Sequence, residues 1–436
     1  MTAVRVDPSA GRAGHPAARR MSARDRGWLT VDSLRTIGPL HGITAEGLRE
    51  ALVRLHDGYP AARAVCRIDR EAARWIPLSR SDFATFSRDL AVRVDHPDGA
   101  DDPADAVTRW LVDEPLGDRP LLLAVGGDFV GAKISHAVGD GRIVNTLFPE
   151  LMRATAEGRA PRLPFPAPTR LPVVRAALRH FGRNPSRLLS AAHILRPPPT
   201  AATAAGTGAP VPWRPDIMYG SARSGHALAQ VRAWRDGHAP GVSAAAVLFA
   251  AASVALTRCG LAPKWPGVVV LFDARRYLPP GSTVDGNFSW GQYLLPASLT
   301  DPRAVHDALT EEFGSGRPLA MLAMRTAHLM LSGTRQAAPA SPAVPAHPRP
   351  ELTLTHIGRI DHYVDLPWAG PPEEWRNVSV PTTSGPEALT LSFSELGGAL
   401  YMNSSFDRST FDPAAVLRAI ELICQDPVGL VSTTTH

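Results

Sequence analysis

The strongest chemical signal in this chain is a seven-residue run, Ser135-His136-Ala137-Val138-Gly139-Asp140-Gly141. Two apolar stretches precede it and a helix-patterned one follows. A histidine on a tight loop at a strand end is open enough to meet a substrate, yet rigidly backed. Its ordinary pKa is about 6.5, so a neutral imidazole is available near pH 7. Such a base takes the proton from an alcohol or amine as it attacks a carbonyl, a step that contributes roughly 10²–10⁴-fold. The bland reading of His136 is a core histidine satisfied by backbone. Asp140 has two readings: it orients the imidazole, or it turns away and pairs with a buried arginine to hold the loop. The short turn between the two residues favours the second.

The elements that must position this run are legible in outline. Residues 121–125 and 129–135 are apolar and flank Gly126-Gly127-Asp128, a good hairpin signal. Residues 143–157 carry helical spacing, and Pro149 within them implies a kink or two shorter helices. Earlier, residues 43–55 read as an amphipathic helix capped by Thr44, ended by Gly58 and the Tyr59-Pro60 step. Residues 64–68 begin a strand, 94–107 are mostly loop, and 104–112 form a short helix. Residues 160–220 are rich in Pro, Ala and Arg, with a basic, helix-compatible segment at 173–195; this reads as a crossover linker. Beyond it, Ser243 caps an apolar helix running to Thr257, and 268–272 is a short buried strand. Helical patterning covers 304–331, and 333–350 is an Ala/Pro-rich loop. Strands are expected at 352–356, 388–393 and 400–404, and a last helix at 413–424 with Asp412 as its cap.

Composition sets the bounds. At 436 residues the chain is long enough for two core-sized lobes. Its 44% apolar and 20% charged content fits a globular protein. No run reaches the ~20 apolar residues of a membrane span, and the first 20 residues lack the apolar core of a secretory signal. Cys66, Cys259 and Cys424 are far apart and form no CxxC pair, which argues against a disulfide framework or zinc site. Lys133 and Lys264 are the only lysines, so the net charge of +5 is an arginine charge. The positive balance suits an anionic partner, although dispersed charges are more simply a solvated surface. There is no GxSxG elbow, no phosphate loop and no dinucleotide fingerprint. No aromatic-interleaved basic stripe points to nucleic acid. His41, His328 and His356 have no metal-ligand spacing.

SHAVGDG resembles the HxxxDG motif of CoA-dependent acyltransferases, BAHD acyltransferases and the condensation domains of nonribosomal peptide synthetases. The resemblance runs from about residue 22 to 427. LVRLHDGYPAARAVCRI is similar to the segment before the first lobe's sheet. GVSAAAVLFAAASVAL is similar to the helix that opens the second lobe. VVVLFDARRYLPPG, with Asp285-Gly286-Asn287-Phe288, resembles that lobe's strand, arginine and Gly-Asn pattern. LTLTHIGRI and LYMNSSFDRSTFD resemble its closing strands. The likeness implies an α/β fold of two chloramphenicol-acetyltransferase-like lobes in pseudo-dimeric arrangement, with a tunnel between them. His136 matches the catalytic histidine and Asp140 the structural aspartate. Arg275 is the candidate partner of Asp140, with neighbouring Arg276 as competitor. Gly141 matches the glycine whose N–H lies near the developing oxyanion. Gly286 and Asn287 shape the lobe interface. Ser135, Arg142 and Trp290 are candidate substrate contacts. Three departures stand out. Ser135 replaces the first of two histidines common in condensation domains. Arg142 stands where those domains often carry an aromatic. Ser289-Trp290-Gly291 is only superficially like the plant-type DFGWG motif.

The expected organisation is a disordered N-terminus at 1–21, an N-terminal lobe at 22–165, a crossover linker at 166–220 and a C-terminal lobe at 221–436. The expected function is transfer of an acyl group from a CoA or carrier-protein thioester to a hydroxyl or amine, in bacterial secondary metabolism. Heavy Arg, Ala and Pro usage with scarce Lys fits a GC-rich bacterial genome, by association only. The alternative is an inactive condensation-like module that binds a carrier protein or recruits a partner enzyme. A third reading is cyclisation or dehydration in the same tunnel. No tightly bound cofactor and no metal are expected. Acyl-CoA or a phosphopantetheinyl carrier protein is the donor substrate, and a small molecule is the acceptor. Neither nucleic acid nor membrane is an expected partner, and the cytoplasm is the expected compartment.

Overall fold

The computed structural model describes residues 17–95, 102–163, 168–182, 184–187, 211–331, 343–381 and 385–432. The expected disorder at 1–16, the middle of the linker and the first half of the 333–350 loop lie outside the described residues. Two sheets organise the chain. The first has five strands in the order Arg376–Val380, Asp32–Gly38, Phe129–Ser135, Leu121–Gly126 and Ala91–Arg93. The second has six: Ser289–Leu294, Val268–Asp273, Glu351–Arg359, Ala388–Leu396, Ala399–Asp407 and Ile217–Ser224. Its three middle connections include two parallel ones, Val268–Asp273 to Glu351–Arg359 and Glu351–Arg359 to Ala388–Leu396.

The first sheet packs against helices Ala45–Gly58 and Gly141–Ala156 through Leu48, Leu52, Leu55, Leu147 and Leu151, all buried. Thr44 caps the first of these helices as expected. The second helix is one continuous element; Pro149 lies inside it without splitting it. On the sheet's other face lies Pro103–Asp113, with Val107 and Leu111 buried. The second sheet packs on Ala244–Arg258, capped by the Ser243 hydroxyl, which accepts from the Ala246 N–H at 3.2 Å. That helix is apolar all round and buried along most of its length, as befits the centre of a core.

Alternation along one strand joins the two cores. Successive side chains of a strand point to opposite faces. In Ala399–Asp407, Leu400, Met402 and Phe406 enter the second core, while Ala399 and Tyr401 enter the first. The strand is therefore buried on both faces.

Several expectations need correction. Residues at the end of the supposedly disordered lead-in are ordered: Arg19–Arg20 pairs with Arg74–Ile76, and Met21 is buried. The lobe boundary expected at 220 falls inside the strand Ile217–Ser224. That strand begins within the expected linker because it pairs residue for residue with the eight positions of Leu400–Asp407. Arg376–Val380, from the C-terminal half, joins the first sheet beside Asp32–Gly38. The helical pattern at 304–331 is two helices, Pro302–Ser315 and Arg317–Leu331. Gly316 sits between them at φ +74°, a left-handed conformation that glycine adopts freely. No helix among the described residues is long and apolar enough to cross a membrane.

Gly131 tests the packing under the motif strand. A Cβ there would collide with Leu111 and come within 2.7 Å of Val107 on the overlying helix. Gly131→Val is expected to destabilise the fold by about 1–3 kcal/mol, read as a lower urea midpoint at unchanged slope.

Candidate active site

The motif turn is fixed at both ends. Ser135 closes the strand opposite Asp32, and the His136 N–H donates to the Val31 carbonyl at 2.7 Å. The Val138 N–H donates to the Ser135 carbonyl at 2.9 Å, which folds the chain back. Gly139 is required by close approach: a Cβ there would overlap the side chain of Ile143. The helix starts at Gly141, with Asp140 as its N-cap residue in extended conformation. The Asp140 carboxylate makes no capping bond to that helix; it faces the second lobe instead.

There it meets Arg275. Nη1 of Arg275 lies 2.7 Å from Oδ2 of Asp140, and the two side chains are 8% and 3% exposed. The same oxygen accepts from the Phe288 N–H at 2.8 Å and the Ser289 hydroxyl at 3.0 Å. Burial by itself pushes this carboxyl up; Arg275, Phe288 and Ser289 outweigh it and hold the group below the usual carboxylate range. Nη2 of Arg275 donates to the Gly286 carbonyl at 2.8 Å, so one guanidinium grips both the motif turn and the Gly-Asn turn. Arg276, the competitor, stacks over Phe313.

Asn287 holds the imidazole. The amide Nδ2 of this buried residue donates to the His136 backbone carbonyl, and its Oδ1 stands 3.1 Å from His136 Nδ1. A backbone carbonyl only accepts, so the amide end facing it must be the NH₂. The other end, facing the ring, is then the carbonyl, which also only accepts. Nδ1 must therefore carry the hydrogen, and Nε2 of the neutral ring keeps its lone pair. Burial pushes the imidazole's pKa down; the Asn287 bond, which favours the charged form, only partly opposes it. Trp28 stacks on the ring with centroids 5.0 Å apart and planes at 26°. His136 itself is half-buried.

The other anticipated residues are placed as follows. Gly286 adopts φ +90°, and a Cβ there would run into the Arg63 guanidinium. Gly141 is exposed at the helix start, with open space around it. Ser135 is fully buried, and its hydroxyl accepts from the Ala137 N–H at 3.4 Å; it braces the turn rather than facing a ligand. Arg142 is exposed and lies 3.6 Å from Asp273. Trp290 packs partly buried against the cluster that contains Tyr277, Phe288 and Leu319.

A second ion-pair cluster escaped the sequence reading. Arg63 lies 3.0 Å from Asp25 and 3.1 Å from Asp285, and it donates to the Ala137 carbonyl at 3.2 Å. Arg24 donates to the Asn287 carbonyl at 3.1 Å. Arg63 and Asp285 are 222 positions apart, so no local pattern links them. Trp28 lacked a signal for the same reason. Only Asp285 had a cue, its place just before Gly286-Asn287.

Beside these groups lies a cleft of about 490 Å³ at the junction of the lobes. Arg142, Asp273 and Arg275 line it, and His136 does not. Among the described residues no cluster of His, Cys, Asp or Glu could hold a metal ion.

No family model and no curated protein matches the chain in sequence. Solved structures do match in fold. The trichothecene 15-O-acetyltransferase TRI3 from Fusarium sporotrichioides aligns at TM-score 0.60 and 13% identity, over 97% of this chain and 96% of that one. The first condensation domain of the CDA synthetase aligns at TM-score 0.55 and 16% identity, over 97% and 98%. The nonribosomal peptide synthetase FmoA3 aligns at TM-score 0.57 and 16% identity; 98% of this chain spans 46% of that longer one. The two-lobed α/β fold of condensation domains and chloramphenicol-acetyltransferase-like enzymes is therefore this chain's fold.

The Asp140–Arg275 pair has a pH signature. Its carboxyl is depressed in the folded state, so it contributes stability in full above the unfolded value of about 4. That contribution drains away as pH falls towards the lower folded value. Arg275→Met is expected to cost about 3–5 kcal/mol near pH 7 by leaving a buried carboxylate unpaired. Denaturant titrations from pH 7 to pH 3 should show the deficit shrink as Asp140 protonates.

Proposed function

We propose that this chain is an acyltransferase. It moves an acyl group from a CoA or carrier-protein thioester to a hydroxyl or amine of a small-molecule acceptor, in bacterial secondary metabolism. The observation that carries the reading is the Asn287 clamp, which leaves His136 Nε2 unprotonated in the neutral ring. In the proposed step, Nε2 takes the acceptor's proton as the acceptor's oxygen or nitrogen attacks the thioester carbon. The resulting oxyanion collapses, the C–S bond breaks, and the thiolate leaves with the proton held on His136. No covalent acyl-enzyme is needed. The N–H of Gly141 is the proposed oxyanion donor, supported by its exposure at the helix start. One such donor is worth about 2.7–4 kcal/mol where measured. Asp140 and Arg275 hold the turn and touch no reactant.

A second reading draws on one observation, that the cleft is lined without His136. In it, the chain is an inactive condensation-like module that binds a carrier protein or recruits a partner enzyme. Incubation of the full chain with acyl-CoAs, acyl-carrier proteins and candidate amines or alcohols decides between the two. A product heavier by the acyl mass and dependent on His136 supports transfer. Absence of product across donors that demonstrably bind supports the module, and a product lacking the acyl mass points to cyclisation or dehydration.

His136→Ala should lower kcat about 10²–10⁴-fold. Since the neutral ring is the base and burial lowers its pKa, kcat/KM should hold down to below about pH 6.5 and then fall with acid. Asn287→Ala should both reduce kcat and move that acid limb lower, because the lost bond favoured the protonated ring. A limb that does not move would remove Asn287 from its positioning role.

A further inference from the structure

The cleft plays no part in the proton transfer derived above, yet its lining is specific. Arg142 reaches it from the first turn of the motif helix. Asp273, Arg275 and Arg276 enter from the end of Val268–Asp273 and the short helix that follows. Residues 278–284 form a rim with two prolines, and Phe313 and His356 complete the wall. Arg275 is committed, held by Asp140 at 2.7 Å and by Asp273 at 3.2 Å. Arg142 has only the remaining oxygen of Asp273, at 3.6 Å. Arg276 is exposed, lies 3.5 Å above the Phe313 ring and makes no ion pair among the described residues. Three guanidiniums thus share two carboxylates, and a positive charge faces the open space. Low-dielectric walls strengthen the field of that net positive charge. The volume falls within the roughly 300–1,000 Å³ of small-molecule sites.

We propose that this cleft binds the anionic group of the acceptor, a carboxylate on an apolar or aromatic body, with Arg142 and Arg276 as its ligands. The word acceptor rests on the acyl-transfer reading above; the anion site does not. Guanidinium forks match a carboxylate or a phosphate equally well, so the source must be argued. Arg142 stands six positions beyond His136, across one tight turn and the start of a helix. The phosphate of a phosphopantetheine thioester is a long extended arm away from its reacting carbon. Asp140, between the two, is bonded to Arg275 of the cleft wall, so the cleft adjoins the motif turn, and the proposal assigns the anion to a compact molecule whose nucleophile reaches the imidazole.

Calorimetric titration of the full chain with 3-phenylpropionate, and with neutral 3-phenylpropionamide as control, tests this. The acid is expected to bind at least about tenfold tighter than the amide, and more weakly as salt rises. Arg142→Gln and Arg276→Gln should each weaken the acid about five- to tenfold and leave the amide unchanged. Asp273→Asn should tighten the acid, since it removes the cleft's own carboxylate. Equal binding of acid and amide, no binding of the acid, or indifference to both arginine changes would overturn the site. One-for-one displacement of the acid by CoA would assign the anion to the donor and overturn the acceptor claim. His136→Ala should bind the acid as tightly as the parent, so undiminished transfer by that variant counts against the acyltransferase reading alone and leaves the anion site standing.

Discussion

A carboxylate from one lobe and a guanidinium from the other meet out of water, and the geometry of the site follows from that meeting. Asp140 leaves its own helix start uncapped in order to reach Arg275. Stripping both charges of water is costly, and Coulomb attraction offsets this only with good geometry and further hydrogen bonds. Both conditions hold at Oδ2, which accepts from Arg275, Phe288 and Ser289. What such a pair supplies is chiefly specificity of register. With Arg275 also on the Gly286 carbonyl, the Gly-Asn turn can sit in one place relative to the motif turn. Asn287 then falls opposite His136.

The Arg63 cluster repeats this logic a short way off. One guanidinium joins Asp25, Asp285 and the backbone of the motif turn, so three remote segments converge on it. Gly286 leaves room for that guanidinium and adopts the positive φ the turn needs. The demand on this glycine is therefore steric and conformational together.

Much of this was legible in the sequence, and the misses have physical causes. The hairpin, the motif turn and the helix caps at Thr44, Ser243 and Asp412 are local features, and they read correctly. The preference for an arginine partner over an imidazole partner for Asp140 also followed from local geometry. The strand Ile217–Ser224 was hidden because Gly220, Ser221 and Arg223 blur its apolar pattern, and its pairing with Leu400–Asp407 is remote. Arg376–Val380 was hidden because a short strand joining the other lobe's sheet leaves no local trace. Ser135, a candidate substrate contact in the sequence, is turned inward by alternation at the strand end. Trp28 and Arg63 approach the site only through the folded chain.

The amide that fixes the imidazole's tautomer is borne by the opposite half of the molecule. An unassembled half therefore carries a histidine free to swap its ring proton, with no partner to choose for it. Which ring nitrogen keeps its lone pair is in this sense a quaternary-like property realised within one polypeptide. A nascent chain whose second half has yet to fold leaves that choice between the two ring nitrogens unmade.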